Sequence, residues 1–158
     1  MSFCYRKTRI EDIDALFEVR SKTRENPISK ERLAQMGITS ISSANGFKGG
    51  ELCGWVCLEQ ETIIGFCTGH IPTGEILVLA LLPDFEGHGI GRTLLSRVVA
   101  ELQKHSSNSV WLSADPNPAI RAHGFYRRLG WKATGNVLEN GDEILEFYSS
   151  VKLDVIDS

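Results

Sequence analysis

The chain has 158 residues, which suits one domain with its own hydrophobic core, and we expect a single domain over residues 1–158. Its 17 basic and 20 acidic side chains give a net charge of −3, which argues against nucleic acid as a partner. The N-terminal residues contain no apolar stretch typical of a secretory signal, and no apolar run approaches the roughly 18 residues of a membrane span. We therefore expect a cytoplasmic protein without a membrane partner.

The four cysteines, Cys4, Cys53, Cys57 and Cys67, are not spaced like a metal centre. They form no C-x-x-C pair, and they lie among apolar residues, where a free cysteine behaves as a small apolar side chain. We expect free thiols and no metal.

The first fifty residues are predicted to contain one strand and two helices. The strand covers 3–7, the first helix 8–23 and a short second helix 29–35. Thr8 and Glu11 have the spacing of a capping box at the start of the first helix. Residues 38–50 are rich in serine and glycine and are predicted to be irregular.

Strands and helices alternate in the remainder of the chain. The predicted order is strands at 52–58, 63–71 and 76–82, a helix at 90–104, a strand at 110–114, a helix at 119–129, and strands at 131–137 and 143–151. Residues 76–82 are continuously apolar, which is typical of a strand buried on both faces. This order of elements indicates an α/β (α+β) fold with a mixed sheet.

A glycine-rich turn joins the apolar strand at 76–82 to the helix that follows. Gly87, Gly89 and Gly91 recur at every second position. Glycine permits a positive φ and a close approach to the backbone, and the N–H groups at a helix N-terminus bind anions. The spacing matches neither the dinucleotide fingerprint nor the Walker A loop. The turn therefore predicts a phosphate site of another kind, with a turn that binds no ligand as the alternative.

Two motifs resemble those of the GNAT superfamily, the GCN5-related N-acetyltransferases. After Pro83, the sequence Glu86-Gly87-His88-Gly89-Ile90-Gly91 resembles the family's acetyl-CoA motif Q/R-x-x-G-x-G/A, with Glu86 in place of the usual Gln or Arg. Asn117 followed by Gly124-Phe125-Tyr126-Arg127-Arg128-Leu129-Gly130-Trp131 resembles the second core motif, N…Y-x-x-x-G-F/W. The two motifs occur in the order that the family shows.

The resemblance implies a GNAT fold, in which about four helices flank a central, mostly antiparallel, seven-stranded mixed sheet with two splayed parallel strands. It implies acetyl-CoA as cosubstrate and no metal. The backbone of Leu79, Ala80 and Leu81 would bind the pantetheine arm, and a bulge there would aim an N–H group at the thioester oxygen. The remaining implied cofactor-binding residues are Gly87, His88, Gly89, Ile90, Gly91, Arg92 and Asn117.

The implied reaction is direct transfer of an acetyl group from acetyl-CoA to a primary amine of a small molecule or peptide. Tyr126 matches the family's general acid, which protonates the CoA thiolate, and a core aromatic is the alternative role. Glu75 is the candidate general base, with a solvated carboxylate at the strand end as the alternative. Ser113, Asp115 and His123 are weaker candidates for the base.

The acceptor amine is not named by the sequence. Arg24, Glu25 and Asn26 form a polar cluster at the break between the first two helices and are candidate substrate residues, with a capped surface turn as the alternative. Family members often form homodimers. The alternative function is a non-catalytic acyl-CoA-binding sensor module on the same fold, and a nucleotide-binding regulatory domain is a third hypothesis.

Overall fold

The computed structural model describes residues 2–24 and 27–147. Within these residues the chain forms seven strands and five α-helices. The chain divides into two compact units, Met1–Asn108 and Ser109–Ser158. The expected α/β composition with seven strands is confirmed.

The first unit contains a four-stranded antiparallel sheet in the order β1-β2-β3-β4. Its strands are β1 (Cys4–Lys7), β2 (Leu52–Glu59), β3 (Thr62–His70) and β4 (Glu75–Leu81). A two-residue turn, in which Gln60 and Glu61 both have positive φ, joins β2 to β3. Three of the four free cysteines, Cys53, Cys57 and Cys67, are buried in this sheet, whereas Cys4 is exposed.

Strand β4 contains a β-bulge at Leu77. Val78 stands opposite Thr68 and Ile76 stands opposite Gly69, so Leu77 is the additional residue. The prediction that this apolar strand is buried on both faces is wrong, because Leu77 is 47% exposed. The bulge leaves Leu77 outside the regular alternation of buried and exposed side chains along the strand.

Four helices belong to the first unit: α1 (Ile13–Arg20), α2 (Lys30–Gln35), α3 (Ser40–Lys48) and α4 (Ile90–His105). Leu16 and Val19 of α1 pack with Phe66 in a buried cluster on one face of the sheet. Helix α4 packs on β2, β3 and β4, and a Cβ at Gly65 or Gly69 would touch its side chains. Since Phe66 alternates with these glycines along β3, α1 and α4 cover opposite faces.

The prediction for the start of the first helix is wrong in two respects. A different residue provides the capping carboxylate, and the α-helix begins about one turn later than predicted. A 3₁₀ turn at Ile10–Asp12 precedes α1, and the capping carboxylate is that of Asp12 rather than Glu11. Asp12 Oδ2 accepts the N–H of Arg9 at 2.7 Å, and both oxygens accept hydrogen bonds from the Arg6 guanidinium. The ion pair with Arg6 therefore favours Asp12 over Glu11 as the capping residue.

The prediction that residues 38–50 are irregular is also wrong, because Ser40–Lys48 forms α3. Thr39 and Ser42 exchange backbone-to-side-chain hydrogen bonds of 2.8 and 3.0 Å, which make a capping box. Phe47 packs against the cluster that contains Phe17 and Leu33. The cap and this contact offset the weak helix propensity of serine and glycine.

The second unit contains β5 (Trp111–Ala114), α5 (Arg121–Arg128), β6 (Trp131–Val137) and β7 (Glu143–Phe147). Its strands are antiparallel in the order β5-β7-β6. Leu112, Trp131 and Leu145 are buried. The part of the predicted last strand beyond Phe147 lies outside the described residues.

Candidate functional site

The glycine-rich turn between β4 and α4 has the backbone conformation that its sequence predicts. Gly87 and Gly89 have φ values of +85° and +77°, which side chains other than glycine adopt at a cost. A Cβ at either position would meet no heavy atom within 4 Å. The backbone conformation therefore requires these glycines, and the space beside them is open to a ligand.

The first turn of α4 directs its N–H groups toward this turn. Gly89 is the N-cap residue and Ile90, Gly91 and Arg92 follow it. As the first residues of a helix, they have no carbonyl acceptor one turn earlier, and their N–H groups lie at the positive end of the helix dipole. The arrangement suits an anion such as a phosphate group.

Glu86, which departs from the motif, holds an arginine from another part of the chain. Arg24 Nε donates to Glu86 Oε1 at 2.9 Å, and the Glu86 side chain is 19% exposed. The candidate substrate residue Arg24 thus contacts the glycine-rich turn. Glu25 and Asn26 lie outside the described residues.

The side chain of His88 packs on an aromatic ring near the N-terminus. Its ring lies 5.7 Å from that of Phe3, which in turn makes an edge contact with Phe85 at 6.2 Å. The His88 ring therefore contacts the N-terminal segment of the chain. Sequence reasoning missed Phe3, because no local pattern relates it to a turn more than 80 residues away along the chain.

Glu75 opens β4 and is half-buried. Burial raises the pKa of its carboxyl group above the ordinary value, and His70, its partner across the ladder, opposes that shift. His70 Nδ1 lies 2.8 Å from Thr73 Oγ1. A carboxylate with a raised pKa is closer to the range in which a general base works near neutral pH.

The strand segment assigned to the pantetheine arm is regular. Leu79, Ala80 and Leu81 pair with Cys67, Phe66 and Gly65 without a register shift. The expected bulge lies two residues earlier, at Leu77, so its predicted position within residues 79–81 is wrong. With this bulge, Leu77 and Val78 both line an apolar cavity of the first unit.

The second unit holds the other two predicted site residues. Tyr126 of α5 is half-buried and makes edge contacts with Phe125 and Trp131, at ring distances of 5.2 and 5.9 Å. Asn117 Oδ1 accepts the N–H of Ala119 at 2.9 Å, and its own N–H donates to Asp115 Oδ1. The Asn117 side chain therefore orders the turn before α5.

Arg127 of α5 contacts two other groups of the second unit. Glu143, in the last hairpin, accepts a hydrogen bond from Arg127. The carbonyl of His123 accepts one from the same guanidinium. Glu143 is consequently neutralised by Arg127.

A model of the acetyltransferase (GNAT) family matches residues 13–131. The chain belongs to this family. The match covers the glycine-rich turn and ends at Trp131, the last residue of the second motif. The family prediction is therefore confirmed.

Two curated relatives and one solved structure show the range of similarity. Over 76 residues the chain is 29% identical to an uncharacterized N-acetyltransferase of Gracilaria tenuistipitata var. liui, covering 46% of this chain and 40% of the relative. It is 26% identical over 76 residues to the [ribosomal protein bS18]-alanine N-acetyltransferase of Haemophilus influenzae, covering 47% and 51%. The chain thus spans about half the length of the curated relatives it matches.

The fold matches along nearly the whole chain. The PaiA N-acetyltransferase of Thermoplasma acidophilum, solved in complex with coenzyme A, superposes with a TM-score of 0.76 at 23% identity. The match covers 94% of this chain and 100% of that one. At this identity the likeness establishes the fold.

Two further properties concern the described residues alone. None of the helices described is long and apolar enough to cross a membrane. No group of three or more histidine, cysteine, aspartate or glutamate side chains in residues 2–24 and 27–147 could hold a metal ion.

Proposed function

We propose that the protein is an N-acetyltransferase that transfers the acetyl group of acetyl-CoA directly to a primary amine of a small molecule or peptide. The observation that carries the proposal is the open turn at Gly87 and Gly89, which directs the first N–H groups of α4 outward in a chain of the GNAT family. Acetyl-CoA supplies the activated acetyl thioester, and the residues of this chain bind and orient it.

The backbone of the glycine-rich turn and of β4 would hold the cosubstrate. The N–H groups of residues 87–92 would bind the pyrophosphate, and Leu79, Ala80 and Leu81 the pantetheine amides. Glu86 would place a carboxylate beside the phosphates, and the Arg24 guanidinium that pairs with it would compensate its charge. Asn117 would contribute by ordering the turn that precedes α5.

Two proton transfers follow from the chemistry. A primary amine is mostly protonated near pH 7 and must lose a proton before it attacks, and Glu75 is the proposed base. The departing thiolate takes up a proton, and Tyr126 is the proposed acid. Each transfer contributes on the order of 10²–10⁴ in rate.

The proposed acceptors are primary amines of small molecules or peptides. The Haemophilus influenzae relative is named for an alanine of a ribosomal protein, and an N-terminal alanine presents a primary amine of the kind proposed. The predictions of a cytoplasmic location, of a homodimer, and of no nucleic-acid or membrane partner stand as predictions from the sequence.

Thermal unfolding with acetyl-CoA, with NADH and ATP as controls, tests the cosubstrate. At one hundred times Kd, binding adds about 2.7 kcal/mol, which raises Tm by roughly 5–10 °C at this chain length. Stabilisation by NADH or ATP instead of acetyl-CoA would contradict the proposal. Turnover is then followed by chromatography of free CoA, because the exposed thiol of Cys4 would consume a disulfide reagent.

The sensor alternative makes a different prediction in the same experiments. A sensor binds acetyl-CoA and releases no CoA over a broad panel of amines. Release of CoA that depends on an amine, with recovery of the acetylated amine by mass spectrometry, excludes the sensor. The matched control is a Glu75→Gln variant that still binds acetyl-CoA, because any CoA that it releases does not depend on the proposed base.

A further inference from the structure

A cavity of about 310 Å³ lies in the first unit between the helices α1, α2 and α3 and the sheet. Its walls are mostly large apolar side chains, and Phe66, Leu77 and Val78 form the side that belongs to the sheet. The volume lies at the lower end of the range of small-molecule pockets. A compact organic group fits it.

Several apolar side chains of this cavity are far from fully buried. Leu77 is 47% exposed, Met36 is 53% exposed and Ile38 is 41% exposed. The bulge brings Leu77 to the cavity together with Val78. Covering this surface with an apolar group would be favourable in proportion to the area removed from water.

The cavity adjoins the chemistry proposed for β4. Leu77 lies two residues after Glu75, the proposed base, and two residues before Leu79, the first residue proposed for the pantetheine arm. At about 3.3 Å per residue, each lies roughly 7 Å from Leu77 along the strand. An amine held near Glu75 would therefore extend its substituent into this cavity.

The mostly apolar lining of the cavity disfavours a second cation on the substrate. Its polar lining consists of Arg20, Ser42, Ser43 and Thr68, and no carboxylate occurs among the lining residues that the structure describes. Burial lowers the pKa of Arg20 from its ordinary value, yet an arginine side chain keeps its charge near neutral pH. A second positive charge on the substrate would lose its hydration among mostly apolar side chains.

We propose that the acceptor is a primary amine with one large apolar substituent, which occupies the cavity of α1, α2, α3 and β4, and that polyamines are rejected. The inference rests on the proposed function and narrows its acceptor. The substituent, rather than a second charged group, provides the binding energy.

A homologous series of amines tests the inference. For n-propylamine to n-hexylamine and for 2-phenylethylamine, kcat/KM should rise by about fourfold for each methylene buried. Spermidine and ethanolamine should fall at least tenfold below n-hexylamine. A flat series, or spermidine as the best acceptor, would overturn the inference and leave the acetyltransferase proposal standing; no acetylation of any amine would overturn both.

Variants of the lining distinguish the cavity from the rest of the surface. Leu77→Asn and the nearly isosteric Met36→Gln should each flatten the dependence of kcat/KM on the chain length of the amine. Ile41→Asn is the matched control, because Ile41 is 74% exposed on α3 and does not line the cavity. An unchanged chain-length dependence in both lining variants would overturn the assignment of the cavity.

Discussion

Arg24 and Glu86 lie 62 positions apart in sequence and form an ion pair in which Arg24 Nε is 2.9 Å from Glu86 Oε1. Glu86 stands where the motif that it resembles usually has glutamine or arginine, and in the proposed site its negative charge would repel a bound pyrophosphate. The pair explains how the motif tolerates the glutamate. The positive charge comes from the connection after α1 rather than from the motif itself.

Removal of Arg24 should therefore weaken acetyl-CoA binding only while Glu86 is present. We expect Arg24→Gln to raise Kd about fivefold to tenfold at low salt, because the carboxylate is left unneutralised near the phosphates. Isothermal titration calorimetry at two ionic strengths measures this. In the Glu86→Gln background the same substitution should change Kd less than twofold.

Lys22→Gln is the control for loss of a nearby positive charge. Lys22, which follows α1, pairs with Glu18 of that helix at 2.6 Å, and no contact with the glycine-rich turn is found for it among the described residues. Its substitution should leave Kd unchanged. Equal effects of Arg24→Gln with and without Glu86 would mean that the pair does not act on the phosphates.

A comparison of Gly89→Ala with Gly37→Ala should separate the cost of backbone strain from the loss of the phosphate site. Gly37 at the end of α2 also has a positive φ, of +84°, and a Cβ there would likewise meet nothing within 4 Å. Alanine at either position should reduce the free energy of unfolding by about 1–2 kcal/mol. Urea unfolding measures this cost.

Only the Gly89 variant should lose acetyl-CoA affinity, by tenfold or more, because the added methyl group occupies the open side of the turn. Calorimetry with both variants decides the point. A similar loss of affinity in Gly37→Ala would trace the effect to general destabilisation instead.

Much of the fold follows from local sequence patterns. Helix α4 is predicted to within one residue because its buried side chains, such as Leu94, Val98 and Leu102, form one helical stripe. The start of α1 is mispredicted because Asp12 caps in place of Glu11 through its contact with Arg6, which belongs to another element. Helix α3 is missed because its cap and the packing of Phe47 outweigh its composition.

The candidate site also combines features that the local sequence predicts with features that depend on contacts between distant residues. The open glycine turn can be predicted, since the positive φ of Gly87 and Gly89 is a local requirement. The Arg24–Glu86 pair and the contact of Phe3 with His88 join distant parts of the chain, and no sequence spacing indicates them. The exposure of Leu77 depends on a bulge, which an uninterrupted apolar run does not reveal.

Glu75 should give the reaction a pH dependence of known sign. If it is the base, kcat/KM falls as the pH drops through its pKa, which burial raises above the ordinary value of a glutamate. In Glu75→Gln this fall of kcat/KM at low pH should be absent. Its kcat at neutral pH should be lower by about 10²–10⁴. Glu51→Gln, at an exposed glutamate before β2, is the control and should keep the profile.

The same shift makes Glu75 a destabilising group when it is ionised. Because its pKa is higher in the folded chain, the folded state binds the proton more tightly. The stability that this tighter proton binding contributes is present below the pKa of Glu75 in the unfolded chain. It is lost as the pH rises through the pKa of Glu75 in the folded chain. Glu75→Gln should therefore raise the midpoint of urea unfolding at pH 7 more than at pH 4, and a gain at pH 4 only would refute this.

Tyr126→Phe should lower kcat by about 10²–10⁴ and leave Kd for acetyl-CoA within twofold, since the ring contact with Trp131 is retained without the hydroxyl proton. Single-turnover measurements separate the chemical step from product release. Tyr5→Phe is the matched control, as Tyr5 lies in β1 against Arg97. An unchanged kcat would assign Tyr126 to the core of the second unit.

The packing of α4 on β3 should couple stability to the phosphate site. A Cβ at Gly69 would lie 2.8 Å from Val98 Cγ1 and 3.0 Å from Leu102 Cδ1, and both side chains are fully buried. Gly69→Ala should therefore cost about 1–3 kcal/mol in urea unfolding through overpacking, and it should weaken acetyl-CoA binding because α4 carries the N–H groups of the turn.

Val98→Ala supplies the compensating space. Alone it should destabilise the first unit by leaving a cavity, but combined with Gly69→Ala it should cost at least about 1 kcal/mol less than the sum of the two single variants. Acetyl-CoA affinity should recover in the double variant, because α4 returns toward its position on β3. Additive losses of stability would show that the methyl group at position 69 is accommodated without displacing the helix.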